Sequence, residues 1–306
     1  MKYGFFLLFI MYSVKLFAQI DDKINIVSLG KNRLTYLHEP KGANAVAVAK
    51  RPLIIALHAG GQTAKEFMSF TKFNRYSDRD TVYVAYPAAI DQHWNDGRII
   101  PGDDVSKYAN DVQFISDLID FIIKNKNVDA ERVYVTGLAN GALMCYRLAC
   151  EIPQKIAAIA PVAGSIASEI STTCSPVNVL NIIAINGEDD PIVPYKGGKV
   201  TFEGKDLGNI ESVEKTINFF ANYGSEIKAS SIKVKKKDFD HTDRTTLITE
   251  SYTNAKYLSE VVLYTVKGGG HAWTGASQYL PPSTTGNVSR EFDTSFIIWE
   301  FFMNVY

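Results

Sequence analysis

One stretch decides the fold of this chain: Val133-Tyr134-Val135-Thr136-Gly137-Leu138-Ala139-Asn140-Gly141-Ala142. Its apolar first half is typical of a buried strand, and the small residues that follow are typical of a tight turn into a helix. Glycines stand two residues before and two residues after Ala139, which is the spacing Gly-x-Ser-x-Gly of a nucleophile elbow. Because the central residue here is alanine, the pattern predicts the geometry of that elbow without its hydroxyl.

Similar apolar runs lie on both sides of this stretch, and each is typical of a strand that is buried on both faces. They lie at residues 52–58, 81–86, 156–162, 179–186 and 259–266. Apolar residues at helical spacing between and after them predict helices. These lie at about 109–125, from the elbow to about 151, at 211–223 and from about 292. The alternation of strands and helices predicts an α/β fold with a mostly parallel central sheet and helices on both faces.

The two ends of the chain are predicted to add antiparallel strands and a closing helix. Residues 24–29 and 33–38 form one antiparallel pair in this interpretation, and the polar stretches near 230–237 and 244–251 form an edge hairpin. The closing helix is expected to run from about residue 292, with Phe296, Ile297 and Phe301 on one face. With no internal repeat and no low-complexity linker, residues 19–306 are expected to form a single domain.

The first 18 residues are typical of a secretory signal peptide. A short basic start is followed by an apolar core that is too short for a comfortable membrane span, and Ala18 offers a small residue for cleavage. We therefore expect a secreted or periplasmic protein without stable membrane insertion after cleavage. The alternative is an uncleaved N-terminal anchor.

The charge of the chain argues against a nucleic-acid partner. The formal net charge is −1, and it becomes −3 once the two lysines of residues 1–18 are left out. No stripe of basic residues stands out along the sequence either. The lysines at 233 and 235–237 are interpreted as the solvated edge of a strand.

The three cysteines do not form a disulfide scaffold or a metal-binding pattern. Cys145 and Cys150 are five residues apart on one predicted helix and therefore face different directions. A bridge from Cys150 to Cys174 is the favoured pairing in an exported chain, and it leaves Cys145 as a free, buried thiol.

Residues of catalytic type follow the elbow in a definite order along the chain. An acidic turn, Gly187-Glu188-Asp189-Asp190-Pro191, comes after one strand, and Gly268-Gly269-Gly270-His271 comes after another. Nucleophile, acid and histidine is the order of the α/β-hydrolases. His271 is the candidate base, because a serine hydroxyl needs a neighbour that takes its proton. The residues alone do not choose among the three carboxylates.

An oxyanion hole requires backbone N–H groups that point at the developing charge. Asn140 directly follows the elbow residue and is one candidate donor. The others are Ala59 and Gly60 in the turn after the strand 52–58, where a positive φ at Ala59 would strain an alanine. His58 is expected to pack or hydrogen-bond locally. No cofactor, metal cluster or phosphate-binding loop is indicated.

At these residues the sequence resembles the secreted polyhydroxybutyrate depolymerase-like esterases and the related feruloyl and acetyl xylan esterases of carbohydrate esterase family one. The resemblance covers nearly all of residues 33–302 and is specific because several motifs occur in the same order. They are Leu57–Gln62, Tyr86-Pro87, Trp94–Arg98, Val135–Ala142, Ala160–Gly164, Asp190–Tyr195 and Gly268–Trp273.

The resemblance implies an α/β-hydrolase fold, hydrolysis of polyester, oligomer or cell-wall esters, and no cofactor. It selects Asp190 as the acid and His271 as the base, and it places Trp273 beside the site. Trp94 and Asn95 match a substrate-side loop of the family, although Trp94 is equally interpretable as a loop anchor.

Ala139 departs from the family pattern, in which this position carries the nucleophile. Loss of that nucleophile lowers kcat by about 10⁶-fold, so the chain is expected to be almost inert as a serine esterase. One hypothesis is a natural esterase whose nucleophile has been replaced. The second is a natural pseudo-enzyme that binds an ester or a glycan, and a third, weaker one is water-mediated hydrolysis by Asp190 and His271.

Overall fold

The computed structural model describes residues 22–41, 49–178, 180–235, 238 and 240–305. The predicted signal peptide and two lysines of the lysine cluster, Lys236 and Lys237, lie outside the described residues. Within them the strands are β1 (Asp22–Ser28), β2 (Lys31–His38), β3 (Arg51–Leu57), β4 (Tyr83–Pro87), β5 (Val128–Leu138), β6 (Ala158–Val162), β7 (Asn181–Gly187), β8 (Gly198–Phe202), β9 (Lys205–Ile210), β10 (Ser230–Lys235), β11 (Thr246–Thr253) and β12 (Glu260–Lys267). The helices are α1 (Ala64–Thr71), α2 (Asn74–Asp80), α3 (Asp111–Asn125), α4 (Asn140–Glu151), α5 (Ser168–Thr173), α6 (Val213–Asn222), α7 (Pro282–Thr285) and α8 (Thr294–Asn304).

Ten of these strands form one sheet in the order β1-β2-β4-β3-β5-β6-β7-β12-β11-β10. The six strands from β4 to β12 in this order run parallel, and each of the two outer strands on either side pairs antiparallel with its inner neighbour. The predicted α/β class with a parallel centre is therefore confirmed. In the described part of the chain, no helix has both the length and the apolar character that a membrane crossing requires.

Strand β3 shows why its sequence is continuously apolar. Leu53, Ile55 and Leu57 pack on one face with residues of α3, α4 and α6. Ile54 and Ala56 pack on the other face with residues of α1 and α8. Since side chains alternate between the two faces of a strand, a sheet covered on both sides needs apolar residues at every position.

The parallel centre determines where functional residues can meet. The turns that follow β3, β5, β7 and β12 all leave the same edge of the sheet, and β5 lies between β3 and β6. Ligands of such sheets bind outside the carboxyl ends of the strands. The predicted elbow, acid and histidine turns therefore lie at one edge.

The closing helix, α8, has apolar residues around most of its surface. Its fully buried apolar residues are Ile298, Trp299 and Phe302, whereas Phe296 is 41% exposed. Ile297 and Phe301 are half-buried and pack against the same core, so the spacing of apolar residues does not define one buried face. The β8–β9 hairpin was not predicted, since the stretch after Pro194 has no regular pattern.

A disulfide joins Cys150 at the end of α4 to Cys174 directly after α5. The Cα atoms are 5.1 Å apart, and the two cysteines are 24 positions apart in the chain. Cys145 is a free thiol buried inside α4, and burial raises the pKa of this thiol well above its usual value. The bridge ties α5 to the helix that begins at the elbow.

Candidate active site

The elbow has the backbone geometry that its glycines predicted. Ala139 has φ 53° and ψ −115°, and α4 begins directly after it. A Cβ atom on Gly141 would lie 2.4 Å from the carbonyl oxygen of Leu57, and one on Gly137 would lie 2.5 Å from the backbone of Gly141. Both glycines are therefore required by close backbone contacts, and Ala139 occupies a strained position that disfavours residues with a Cβ.

His271 and Asp190 form a buried hydrogen-bonded pair at the same sheet edge. His271 Nδ1 lies 2.7 Å from Asp190 Oδ2, and the two residues are 3% and 8% exposed. The other carboxylate oxygen accepts the backbone N–H groups of Ile192 and Val193 at 2.8 and 2.9 Å. With Nδ1–H donating to Asp190, Nε2 is left as the proton acceptor.

The two neighbouring carboxylates have other surroundings. Glu188 Oε1 accepts a hydrogen bond from Lys267 Nζ at 2.8 Å on the protein surface. Asp189 is exposed. The geometry thus brings Asp190, rather than Glu188 or Asp189, against His271.

Backbone contacts between the acid and histidine turns fix this pair. A Cβ atom on Gly187 would lie 2.3 Å from the Gly270 carbonyl oxygen. A Cβ atom on Gly270 would lie 2.1 Å from the Thr285 carbonyl oxygen. The N–H of Asp189 also donates to the Gly269 carbonyl at 3.0 Å. The glycines of both turns allow this approach, which larger residues would prevent.

Gly60 and Asn140 lie side by side at the start of α4, as the candidate oxyanion donors require. A Cβ atom on Gly60 would lie 3.5 Å from Asn140 Cβ. Ala59 has no left-handed backbone, so the strain considered for it does not arise, and its N–H donates to Gln62 Oε1 at 3.3 Å. The positive φ of this turn, 76°, belongs to Gly61.

Trp94 and Asn95 are anchored in the loop that faces the elbow. The Trp94 indole N–H donates to the His58 carbonyl at 2.9 Å, and the Trp94 backbone N–H donates to Asn140 Oδ1 at 2.7 Å. The backbone and side-chain oxygens of Asn95 both accept from Arg147 Nη1. These contacts hold the loop in place, and substrate contact by Trp94 or Asn95 stays a prediction.

Trp273 lies two residues after His271 and is 2% exposed. Its indole N–H donates to Ser295 Oγ at 3.0 Å, and its ring meets Phe67 and Phe73 edge to face. Since the ring is enclosed in this aromatic cluster, Trp273 anchors the turn that carries His271. Its predicted contact with substrate stays a prediction.

A cavity of about 610 Å³ opens beside Asn140, between the loop after β4 and the β8–β9 hairpin. Asp96 and Arg98 are among the residues that line it. The remaining lining residues are Ile90, Asp91, His93, Trp94, Asn95, Ile100, Pro101, Asp103, Lys107, Tyr108, Ala109, Lys205, Asp206 and Leu207. Its place next to a candidate oxyanion donor makes it the natural site for part of a ligand.

His58 makes the local hydrogen bonds that the sequence predicted. Its Nδ1 lies 2.8 Å from the Ala59 carbonyl oxygen, and its Nε2 accepts the Ala89 N–H at 3.1 Å. This pattern fits the neutral ring, with one nitrogen donating and the other accepting. Burial of the ring lowers the pKa of His58 below its ordinary value of 6.5.

We expect His58 to make the stability of the protein pH-dependent. Below about pH 6.5 the unfolded chain protonates His58 while the folded protein does not, so the free energy of unfolding falls with falling pH by up to about 1.4 kcal/mol per unit. Urea unfolding at pH 7.5 and 5.5 measures this loss, and His58→Gln should reduce it. His241→Gln is the matched control, because that side chain is 83% exposed. Equal losses in the parent and His58→Gln would contradict the assignment.

Residues 34–194 match the family model described as esterase PHB depolymerase, which is more than half of the chain. The chain belongs to this esterase family. The family consists of carboxylic ester hydrolases, as the sequence motifs predicted.

Named relatives agree with this membership. The chain is 27% identical over 274 residues to the putative esterase NocK of Nocardia uniformis subsp. tsuyamanensis, a match that covers 88% of this chain and 79% of NocK. It is 28% identical over 228 residues to feruloyl esterase B of Piromyces equi, covering 72% of this chain and 39% of that protein. It is 32% identical over 138 residues to poly(3-hydroxyalkanoate) depolymerase C of Paucimonas lemoignei, covering 44% and 31%. The chain thus spans less than half of the last two relatives.

A solved structure confirms the fold. The acetyl xylan esterase from Aspergillus awamori superimposes with a TM-score of 0.50 over 82% of this chain and 94% of that chain, at 14% identity. At this identity the likeness concerns the fold alone. The protein therefore has the α/β-hydrolase fold that the order of elbow, acid and histidine predicted.

Proposed function

We propose that this chain is an ester-binding member of the family that is inactive as a serine esterase because residue 139 lacks a hydroxyl. One observation carries the proposal: the 2.7 Å Asp190–His271 pair and the strained elbow at Ala139 occur at the same edge of the sheet. A buried ionisable pair costs desolvation free energy, and strain at a non-glycine residue costs about 1–3 kcal/mol. Neither feature is needed for a purely structural turn, which favours a site shaped for ester chemistry.

The proposed roles follow from the position of each group. With serine at residue 139, His271 Nε2 would accept its proton while the oxygen attacks the ester carbonyl, and Asp190 would hold the imidazole. The N–H groups of Asn140 and Gly60 would stabilise the negative oxygen of the tetrahedral intermediate. With alanine, the attack cannot occur and the site is left with binding.

The proposed ligands are esters of the kinds that the relatives' names indicate. They are short polyester oligomers and feruloyl or acetyl esters, without a cofactor. A secreted or periplasmic location agrees with the predicted signal peptide. The second candidate is a natural pseudo-enzyme, in which binding of an ester or a glycan is itself the function of the site. The alanine at residue 139 favours this candidate.

We expect the chain as it stands to bind short esters without hydrolysing them. Ethyl acetate, methyl 3-hydroxybutyrate and methyl ferulate serve as probes in NMR titrations that follow both protein signals and intact ester. At least one ester should bind saturably and remain intact for hours, because its carbonyl can occupy the oxyanion site without being attacked.

Gly60→Val is the matched control for this binding experiment. Its side chain would push against the His93 ring, which lies 3.1 Å from the Cβ position, and against Asn140. Binding should therefore fall at least tenfold. Rapid hydrolysis by the parent chain would overturn the proposed inactivity, and the absence of binding by every probe would overturn the proposed ester site.

A further inference from the structure

A carboxylate lies directly behind the candidate oxyanion donor. The Asn140 side-chain amide donates from Nδ2 to Asp96 Oδ2 at 2.6 Å and to the Trp94 carbonyl at 2.9 Å. Asp96 is 4% exposed, so its charge is not screened by bulk water. The side chain of Asn140 is thus held by the loop after β4, while its backbone N–H belongs to the first turn of α4.

Arg98 neutralises this carboxylate at short range. Its Nη2 donates to Asp96 Oδ2 at 2.7 Å, and its Nε lies 3.1 Å from both carboxylate oxygens. The two side chains are 7% and 4% exposed. Arg98 Nη1 is buried without a hydrogen-bond partner in the described part of the chain, so the guanidinium is committed to Asp96.

The turn between the two residues is also fixed. Gly97 has φ 93°, and a Cβ atom there would lie 2.3 Å from Ile170 of α5. The N–H of Ile99 donates to Glu169 Oε1 of the same helix at 3.3 Å. Helix α5, itself tied to α4 by the disulfide, therefore holds the Asp96–Arg98 pair against Asn140.

An isolated charge at Asp96 would oppose the chemistry of the site. Negative charge that develops on a carbonyl oxygen at the Asn140 N–H is repelled by a buried carboxylate that is hydrogen-bonded to the side chain of the same residue. The positive charge of the Arg98 guanidinium offsets this repulsion, while Asp96 Oδ2 still accepts from the Asn140 side-chain amide and orients it. The pair therefore combines orientation with electrical neutrality.

We propose that Asp96 and Arg98 are positioning residues for the oxyanion site, with Asp96 orienting Asn140 and Arg98 cancelling the charge of Asp96. This inference rests on the proposed ester site. It predicts that loss of Arg98 alone is worse than loss of both charges, since Asp96→Asn keeps an oxygen that accepts from Asn140.

The kinetic test uses the Ala139→Ser protein with p-nitrophenyl acetate. Arg98→Met should lower kcat by about 100-fold with little change in KM, because the repulsion arises only as charge develops. The double variant Asp96→Asn/Arg98→Met should recover most of this loss. A double variant no better than Arg98→Met would overturn the charge-cancelling role.

The binding test uses the Ala139 chain and therefore does not depend on turnover. NMR titration compares ethyl methylphosphonate, a tetrahedral anion, with ethyl acetate, which is neutral. Arg98→Met should weaken phosphonate binding at least tenfold without changing that of ethyl acetate, and the double variant should reverse the loss. Equal weakening of both probes would overturn the inference in favour of a merely structural role.

The two tests separate this inference from the proposed function. If Ala139→Ser hydrolyses no ester while the phosphonate pattern holds, the proposed esterase chemistry fails and the role of the pair stands. If Arg98→Met does not fold, Asp96→Asn decides, because it should bind phosphonate at least as tightly as the parent. Weaker phosphonate binding by Asp96→Asn overturns the inference.

Discussion

Ala139→Ser is expected to raise kcat for short p-nitrophenyl esters by about 10⁶-fold, which corresponds to roughly 8 kcal/mol of activation free energy. The substitution is expected to complete the proposed site, because His271 is hydrogen-bonded to Asp190 and the elbow at residue 139 already has φ 53°. The substitution adds one oxygen to a side chain that begins at the same Cβ. Steady-state kinetics of the purified parent and variant measure the effect.

Ala139→Gly is the matched control for this gain. Glycine supplies no hydroxyl and adopts positive φ readily, so this variant should be inactive and at least as stable as the parent. Activity of Ala139→Ser no higher than that of Ala139→Gly would contradict the role of residue 139 as the missing nucleophile. In that case the site would be degraded at a position other than residue 139.

Asp190→Asn in the Ala139→Ser protein is expected to lower kcat by about 10⁴-fold. The asparagine can still accept the backbone N–H groups that now bond to Asp190, so the turn should be retained. Its amide, however, can donate to His271 Nδ1, which favours the tautomer that lacks a free acceptor at Nε2. Measurement of kcat and of the melting temperature separates this effect from unfolding.

Asp189→Asn controls for the general loss of a charge in the same turn. Asp189 is exposed and precedes Asp190, so kcat should stay within about twofold of the Ala139→Ser protein, as is usual for surface substitutions. Similar losses in the two variants, or none in Asp190→Asn, would remove Asp190 from the proposed role.

The sequence carried enough information for the fold because each signal was local. Continuous apolar runs indicated strands buried on both faces, and the glycines around Ala139 indicated close backbone contacts that a Cβ would block. The choice of Asp190 over Glu188 and Asp189 was not available from the residues alone. It depends on which side chain reaches His271, 81 positions further along the chain.

Other features depend on contacts that no local pattern encodes. Asn140 hydrogen-bonds to Asp96 across 44 positions of the chain, and no sequence pattern links the two residues. The buried face of α8 could not be defined from its sequence, because apolar residues occur around most of the helix. The β8–β9 hairpin, which forms a wall of the cavity, has a mixed sequence without strand alternation.

The most direct test of the account is covalent labelling of residue 139. The Ala139→Ser protein is treated with a fluorophosphonate and analysed by intact-mass and peptide mass spectrometry, beside the Ala139 chain and Ala139→Ser/His271→Gln. Because labelling requires an activated serine oxygen, we expect one adduct on residue 139 in Ala139→Ser and none in either comparison protein. The absence of an adduct on residue 139, or equal labelling of the Ala139 chain, would contradict the claim that the site is inactive because one hydroxyl, at residue 139, is missing.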